Sequence, residues 1–223
     1  MKKNGWIYMI VACVLLLAFV ALTECLTCID VRPAGQSQAP VGFATLNEAA
    51  FDTLGQSETA ATLSKLCGIA IIGAIGAFCV LGLVQVISRK GILRADKGLY
   101  VMAGGLVLLA VAYVLFEIFV INYRPVLDEG QLAASYPSSH TMLAVAVAGM
   151  GTAYLLGHVK SLAWRISLVA LLDVVAFVTV AGRLLGGVHW LTDIVGGCLY
   201  GLAVTFGYMA VCAFLGKTKE WSV

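Results

Sequence analysis

Long apolar stretches alternate with short polar segments along the whole chain. The apolar stretches cover roughly residues 6–26, 62–87, 98–122, 137–156, 166–181 and 191–215. Because an α-helix rises about 1.5 Å per residue, about 20 apolar residues suffice to cross the hydrocarbon core of a membrane. The pattern therefore predicts an all-α fold: a polytopic membrane helical bundle with six transmembrane helices.

Composition supports a membrane protein and argues against other classes. Of the 223 residues, 61% are hydrophobic and only 12% are charged. Soluble globular domains carry about 25% charged residues, so this class is excluded. The net charge of +2 is too small for a nucleic-acid-binding surface. The expected partner is therefore the lipid bilayer, with no nucleic acid, and the composition is also compatible with a homo-oligomer.

Positive charges are distributed unequally between the two sides that this topology defines. Six spans place both termini on one side, which carries ten of the 14 Lys and Arg residues, whereas the opposite side carries four: Arg32, Lys65, Arg124 and Arg183. Cytoplasmic loops are enriched in Lys and Arg. We therefore expect a multi-pass protein of the cell membrane with both termini cytoplasmic. The short loops and compact spans are typical of a bacterial protein.

The polar segment at residues 30–60 is extracytoplasmic in this orientation. Phe43, Leu46, Ala50, Phe51 and Leu54 recur within it at helical spacing, which predicts a short amphipathic helix on the membrane surface. We expect residues 1–223 to form a single membrane-embedded domain that includes this loop.

The segment RLLGGVHWLTD, residues 183–193, combines three chemically active side chains on the outward side. Arg183, His189 and Asp193 are separated by six and four residues. If a helix restarts near His189, Asp193 lies one turn further on the same face. Its carboxylate can then hold one ring nitrogen of the imidazole and leave the other free to attack or to bind. The simpler interpretation is a surface loop in which Arg183 pairs with Asp193.

Two further polar clusters face the same side. The sequence PSSH at residues 137–140 opens the fourth span, where free backbone N–H groups can bind an anion. Ser138 adds a hydroxyl donor and His140 a proton donor. Arg124, like Arg183, offers a planar fork of donors suited to phosphate oxygens. The clusters together predict phosphoryl transfer without an obligatory metal. A metal site built from His140, His189 and Asp193 is the alternative.

These residues form motifs that resemble a known family. Arg124-Pro125, the sequence PSSH at 137–140 and the pattern R-x5-H-x3-D at 183–193 resemble, in order and spacing, the type 2 phosphatidic acid phosphatase family. That family contains lipid phosphatases with six membrane helices and is related to soluble acid phosphatases and vanadium haloperoxidases. The resemblance covers about residue 98 to the end of the chain and implies a membrane-embedded phosphatase domain.

The resemblance also implies roles for the motif residues. His189 corresponds to the nucleophile that forms a phosphohistidine, Asp193 to the residue that orients it, and His140 to the general acid. Phosphate binding is implied for four residues: Arg124, Arg183, Ser138 and, through its backbone, Ser139. No metal and no cofactor are implied.

Two positions depart from the family pattern. Glu117 stands where the family usually has a lysine, seven residues before Arg124, and Gly182 replaces the serine that usually precedes Arg183. Seven residues correspond to two helical turns. We therefore expect Glu117 to lie beneath the pocket and pair with Arg124 or Arg183, because an unpaired carboxylate facing a phosphate repels it.

The sequence thus predicts hydrolysis of a lipid phosphate or polyprenyl diphosphate at the outer membrane face. Undecaprenyl diphosphate, phosphatidylglycerol phosphate and phosphatidic acid remain open as substrates, with the polyprenyl substrate favoured by the outward site. Two alternatives remain. One is a lipid phosphotransferase that uses the same intermediate, and the other is a non-catalytic lipid-binding or transport protein. The intact His140, His189 and Asp193 argue against the second.

Overall fold

Seven α-helices make up most of the computed structural model, which describes residues 2–36, 38–54, 56–127 and 130–216. The helices are α1 Lys2–Cys28, α2 Ala44–Leu54, α3 Glu58–Ser88, α4 Lys97–Ile118, α5 Ser139–His158, α6 Leu162–Leu185 and α7 Leu191–Leu215. One 3-10 turn, Ile92–Arg94, lies between α3 and α4. Two short antiparallel strands, β1 Arg32–Ala34 and β2 Ala39–Val41, precede α2.

Six of these helices, all except α2, are long and apolar enough to cross a membrane. The predicted all-α bundle with six transmembrane helices is therefore confirmed, although several helix ends differ from the predicted ones. One such difference is at α4, which ends at Ile118 and not near residue 122. Pro125 disfavours helical conformation in Arg124, and the backbone of Arg124 pairs instead with Ala133.

The central helix of the bundle is α5, which packs against α6 and α7. It has the lowest mean hydropathy of the six, 1.3, and half of it is buried. Small residues allow the close approach. A Cβ on Gly149 would lie 2.5 Å from Thr205 of α7, and one on Gly151 would lie 2.6 Å from Leu172 of α6. Helix pairs in membranes depend on such contacts because lipid gives them no hydrophobic driving force.

Asp173 lies in the middle of α6, where an ionisable residue of a membrane span is expected to be buried and hydrogen-bonded. The structure instead places Asp173 on the exposed surface of the bundle, where its carboxylate accepts a hydrogen bond of 3.0 Å from the Thr152 hydroxyl. The prediction of burial is wrong because Asp173 is on the outer face of its helix. The hydrogen bond from α5 is present.

The segment between α1 and α3 covers the start of α7. Asn47 of α2 is fully buried, and its amide exchanges two hydrogen bonds with Thr192, one to the hydroxyl at 2.9 Å and one from the backbone N–H at 3.1 Å. Trp190 packs against Val41 and Phe51. The short helix expected in this segment is thus α2, and its inner face contacts protein. We call this end of the bundle the site end.

Candidate active site

Three separated segments converge at the site end of the bundle. Arg124 follows the end of α4, His140 lies in the first turn of α5, and Arg183 lies in the last turn of α6. His189 occupies the loop between α6 and α7, and Asp193 lies in the first turn of α7. One small polar pocket includes Arg124, Ser139 and His189 among its lining residues. The structure therefore groups the motif residues that are far apart in sequence.

His189 is almost completely enclosed, with 2% of its surface exposed. Its Nδ1 lies 3.1 Å from the Ser135 hydroxyl and 3.7 Å from the Asp193 carboxylate. Its other nitrogen, Nε2, is buried and has no hydrogen-bond partner among the described residues. Burial lowers the pKa of His189, although Asp193 acts in the opposite direction. The imidazole therefore favours its neutral form, with Nε2 available at the pocket.

Asp193 is fully buried and is fixed by neighbours other than His189. One carboxylate oxygen accepts hydrogen bonds from the Trp190 backbone N–H at 2.9 Å and from the Ser135 hydroxyl. The other lies 3.4 Å from the amide nitrogen of Asn122. The sequence predicts a direct bond between Asp193 and the imidazole. In the structure Ser135 lies between the two groups.

The Arg183 guanidinium and the His140 ring form a pair on the other side of the site. A terminal nitrogen of Arg183 lies 3.1 Å from Nδ1 of His140. Because guanidinium can only donate, Nδ1 accepts, and the proton of a neutral His140 is on Nε2. Gly68 of α3 gives this ring its space, since a Cβ at that position would lie 2.9 Å from Cδ2 of His140.

The two serines of the PSSH motif have different positions. Ser138 is buried and caps α5, and its hydroxyl oxygen lies 3.0 Å from the Thr141 hydroxyl and 3.4 Å from the Thr141 backbone nitrogen. Its backbone N–H donates to the Asp193 carbonyl at 3.0 Å. Ser139 lines the pocket. Phosphate contact therefore fits Ser139, whereas Ser138 shapes the helix start.

The two departures from the family pattern have different structural settings. Glu117 is exposed, lines the pocket with Arg124, and forms no ion pair with any residue that the structure describes. Because α4 ends one residue later, at Ile118, the two-turn spacing to Arg124 does not hold. Gly182 packs against α3, where a Cβ would lie 2.6 Å from the Ala60 carbonyl. A serine there has no room in this packing.

An apolar groove of about 470 Å³ adjoins the polar pocket. Its walls come from α3, α4 and α5, and it shares Tyr113, Ser139 and Met142 with the pocket. His140 also lines it; most of the remaining lining is aliphatic, including Ile71, Ile72, Ile75, Leu106, Leu109 and Leu143. A ligand with a polar head and a long apolar chain fits both regions at once.

Sequence reasoning did not identify Ser135 and Asn122, two buried residues of the site. Ser135 lies two residues before the PSSH motif, and its backbone N–H donates to the Asn122 carbonyl at 2.9 Å. Asn122 also accepts a hydrogen bond from the Gly42 backbone N–H at 3.0 Å. Neither residue is part of a sequence motif with a fixed spacing. Their side-chain partners lie in distant segments of the chain, so no signal in the sequence indicates them. Among the residues described, no three His, Cys, Asp or Glu side chains are grouped as metal ligands.

Comparisons with known proteins identify the family and a similar fold. The model of the PAP2 superfamily matches residues 106–216. The fold is similar to the crystal structure of a transmembrane PAP2-type phosphatidylglycerolphosphate phosphatase from Bacillus subtilis, with a TM-score of 0.61 and 17% sequence identity. That similarity covers 93% of this chain and 98% of the other. No curated protein matches the sequence.

Proposed function

Because this multi-pass membrane protein belongs to the PAP2 superfamily, we propose that it hydrolyses a lipid phosphate or polyprenyl diphosphate through a phosphohistidine intermediate. The observation that carries the proposal is the environment of His189. Its Nε2 is buried and without a hydrogen-bond partner among the described residues, and the same pocket contains Arg124. A neutral ring nitrogen beside a guanidinium matches the attack of a nucleophile on an anionic phosphate.

The first chemical step transfers the phosphoryl group to His189. Nε2 forms a bond to phosphorus, and the bond between phosphorus and the lipid oxygen breaks. His140, in its protonated form, donates its Nε2 proton to the departing oxygen and becomes neutral, while Arg124, Arg183 and Ser139 bind the phosphate oxygens. In the second step His140 removes a proton from water, and the resulting oxygen attacks phosphorus. The bond from phosphorus to Nε2 then breaks, which releases phosphate and restores His189.

The adjoining groove supports a lipid substrate. Its aliphatic walls begin at His140, the proposed general acid, and extend between the membrane-spanning helices α3 and α4. A lipid whose phosphate lies in the polar pocket can therefore keep its chain in apolar surroundings. The proposal includes phosphatidic acid, phosphatidylglycerol phosphate and undecaprenyl diphosphate, and the predicted outward orientation of the site favours the last, a cell-wall carrier.

A panel assay tests the proposal. The purified protein in detergent is given each of the three lipids, with and without chelator, and released phosphate is measured. We expect turnover of at least one lipid, unchanged by chelator, and a loss of about 10³-fold or more in kcat for His189→Ala. Labelled substrate should leave acid-labile phosphate on wild-type protein and none on His189→Ala. Turnover by folded His189→Ala at the wild-type rate contradicts the mechanism.

The same assay separates hydrolysis from the alternatives. If the phosphohistidine is discharged to a lipid or sugar acceptor, phosphate appears on the acceptor and free phosphate stays low. If the protein only binds lipid, no lipid of the panel is turned over and His189 is not labelled. Loss of activity with chelator, restored by a metal ion, supports the metal-dependent alternative.

A further inference from the structure

Ser135 is placed where it contacts both members of the His189–Asp193 pair. It is 2% exposed, and its backbone N–H is fixed to the Asn122 carbonyl at 2.9 Å. Its hydroxyl oxygen lies 3.1 Å from Nδ1 of His189 and donates a hydrogen bond to Oδ2 of Asp193. The direct distance from Nδ1 to Oδ2 is 3.7 Å, which is longer than a hydrogen bond. Ser135 is thus the group that connects the two.

The number of protons decides the direction of these two hydrogen bonds. A carboxylate only accepts, and Asp193 already accepts from the Trp190 N–H. The single hydroxyl proton of Ser135 therefore points to Asp193. The contact with His189 must then be an N–H···O bond in which Nδ1 carries the proton. A neutral imidazole has only one ring proton, so Nε2 has a lone pair.

We propose that Ser135 is a positioning residue that selects the Nδ1–H tautomer of His189 and links the ring to Asp193. This inference rests on the proposed function, because the tautomer matters only if Nε2 is the nucleophile. When Nε2 binds phosphorus, the ring becomes a cation that keeps its Nδ1 proton. Ser135 accepts from this N–H while it donates to the carboxylate, so the positive charge is stabilised through the hydroxyl.

Asp193 does not need to reach the ring in this arrangement. Its carboxylate is fixed by the Trp190 backbone in the first turn of α7 and by Asn122 near the end of α4. Asn122 is in turn fixed by the Gly42 N–H at 3.0 Å. The hydroxyl of Ser135 therefore meets an acceptor of defined position. A rigid acceptor defines the position of the hydroxyl, and the hydroxyl defines that of the ring.

The test removes the Ser135 hydroxyl and leaves His189, Asp193 and the phosphate-binding residues in place. Ser135→Ala should lower kcat by about 100-fold, which is the lower end of the range for loss of a residue that assists proton transfer. The affinity for vanadate should change less than threefold. Ser135→Thr, which keeps the hydroxyl, should recover most of kcat. Ser64→Ala is the matched control, since Ser64 is equally buried but its hydroxyl donates only to Ala61 of its own helix. This control should keep wild-type kcat.

A double-mutant cycle separates positioning from a structural role. If Ser135 acts through Asp193, Ser135→Ala combined with Asp193→Asn should be no slower than Asp193→Asn alone. Multiplying losses would overturn the proposal, as would wild-type kcat in folded Ser135→Ala. Failure of the proposed function is recognised separately, because wild-type protein then releases no phosphate and forms no phosphohistidine.

A measurement on the wild-type protein tests the tautomer without any substitution of Ser135 or Asp193. With ¹⁵N-labelled histidine, the resonances of the ring nitrogens report which one is protonated, and comparison with His189→Ala assigns those of His189. We expect the proton of the neutral ring on Nδ1. A proton on Nε2 of His189 contradicts the proposal.

Discussion

At the scale of single residues, the position of His140 depends on Gly68, which has no side chain. Gly68 of α3 faces the ring, and a Cβ there would lie 2.9 Å from Cδ2 of His140. Real Cβ atoms do not approach so closely, so any side chain displaces the ring or the helix. The His140 ring also contacts Arg183 at 3.1 Å, so a displacement changes both groups.

We predict that Gly68→Ala lowers kcat by about tenfold or more, since misplacement of a catalytic group by 1 Å can cost about 100-fold. The thermal unfolding temperature should change little. Gly73→Ala on the same helix is the control, because a Cβ there meets no atom within 4 Å. Equal kcat for the two variants would show that the ring of His140 adjusts without cost.

The pH dependence of turnover reports the environment of His189. Burial lowers its pKa below the ordinary value of about 6.5, with Arg183 and Arg124 acting in the same direction. A neutral ring is required for attack, and a lowered pKa keeps the ring neutral as pH falls through this value. We therefore predict that the acidic limb of kcat/KM lies below about pH 6.5.

This prediction is checked by kcat/KM between about pH 4 and 8, a window that brackets the reference histidine pKa. Two substrates with different phosphate pKa values separate the ionisation of the protein from that of the substrate. A common limb at or above the reference value contradicts the assignment. The proposed requirement for protonated His140 adds a limb on which turnover falls as pH rises.

Glu117 places a negative charge at the wall of the pocket, beside Arg124. We predict that Glu117→Gln lowers KM about threefold at low salt, because the exposed carboxylate repels an anionic substrate across partly screening solvent. Glu24→Gln, an exposed glutamate on α1, should leave KM unchanged. A higher KM in Glu117→Gln contradicts this repulsion.

At the scale of secondary-structure elements, a polar cluster joins three helix ends opposite the site. Asp96 lies just before α4. Its carboxylate accepts hydrogen bonds from Gln85 in the last turn of α3, from Arg89 directly after α3, and from Tyr154 of α5. Burial by itself raises the pKa of Asp96, but these hydrogen bonds outweigh it and the pKa is lowered. The stabilisation is therefore present at neutral pH and is lost as pH falls through the lowered pKa.

We predict that Asp96→Asn lowers the free energy of unfolding by about 1–2 kcal/mol, since it replaces a charged acceptor of several hydrogen bonds by a neutral one. Thermal unfolding in detergent measures the change, which should shrink at acidic pH. The kcat of the folded variant should be unaffected, because the cluster and the active site lie at opposite ends of α5. A large fall in kcat would indicate coupling along that helix.

At the scale of the whole molecule, helices outside the matched region position the site. The family match begins at residue 106, yet α1 packs along α7. The ring of Phe19 stacks on Tyr136 with centroids 5.9 Å apart, and the Thr23 hydroxyl lies 2.9 Å from the Tyr136 hydroxyl. Tyr136 is the neighbour of Ser135. The first helix therefore helps to hold the loop that contains Ser135 and Tyr136.

The orientation of the whole bundle in the membrane can be tested by chemical labelling. The excess of Lys and Arg on the terminal side predicts that this side is cytoplasmic. The test introduces single cysteines into a variant without its seven native cysteines. Leu93→Cys places a thiol before α4 on the terminal side, and Leu132→Cys places one before α5 on the site side. Both positions are exposed. An impermeant thiol reagent added to intact cells should label only Leu132→Cys, and the reverse labelling would invert the topology.

The sequence by itself determined the six spans, the side on which the motifs meet and the motif residues themselves. These features are local, because span length depends on consecutive apolar residues and each motif lies within a short segment. Only the tertiary structure decided that α4 ends at Ile118 and that Ser135 lies between His189 and Asp193. Ser135 and His189 are 54 positions apart. They come together because backbone hydrogen bonds join the Ser135 N–H to the Asn122 carbonyl and the Ser138 N–H to the Asp193 carbonyl. No periodicity along the chain encodes that meeting, so folding alone brings the hydroxyl to the imidazole.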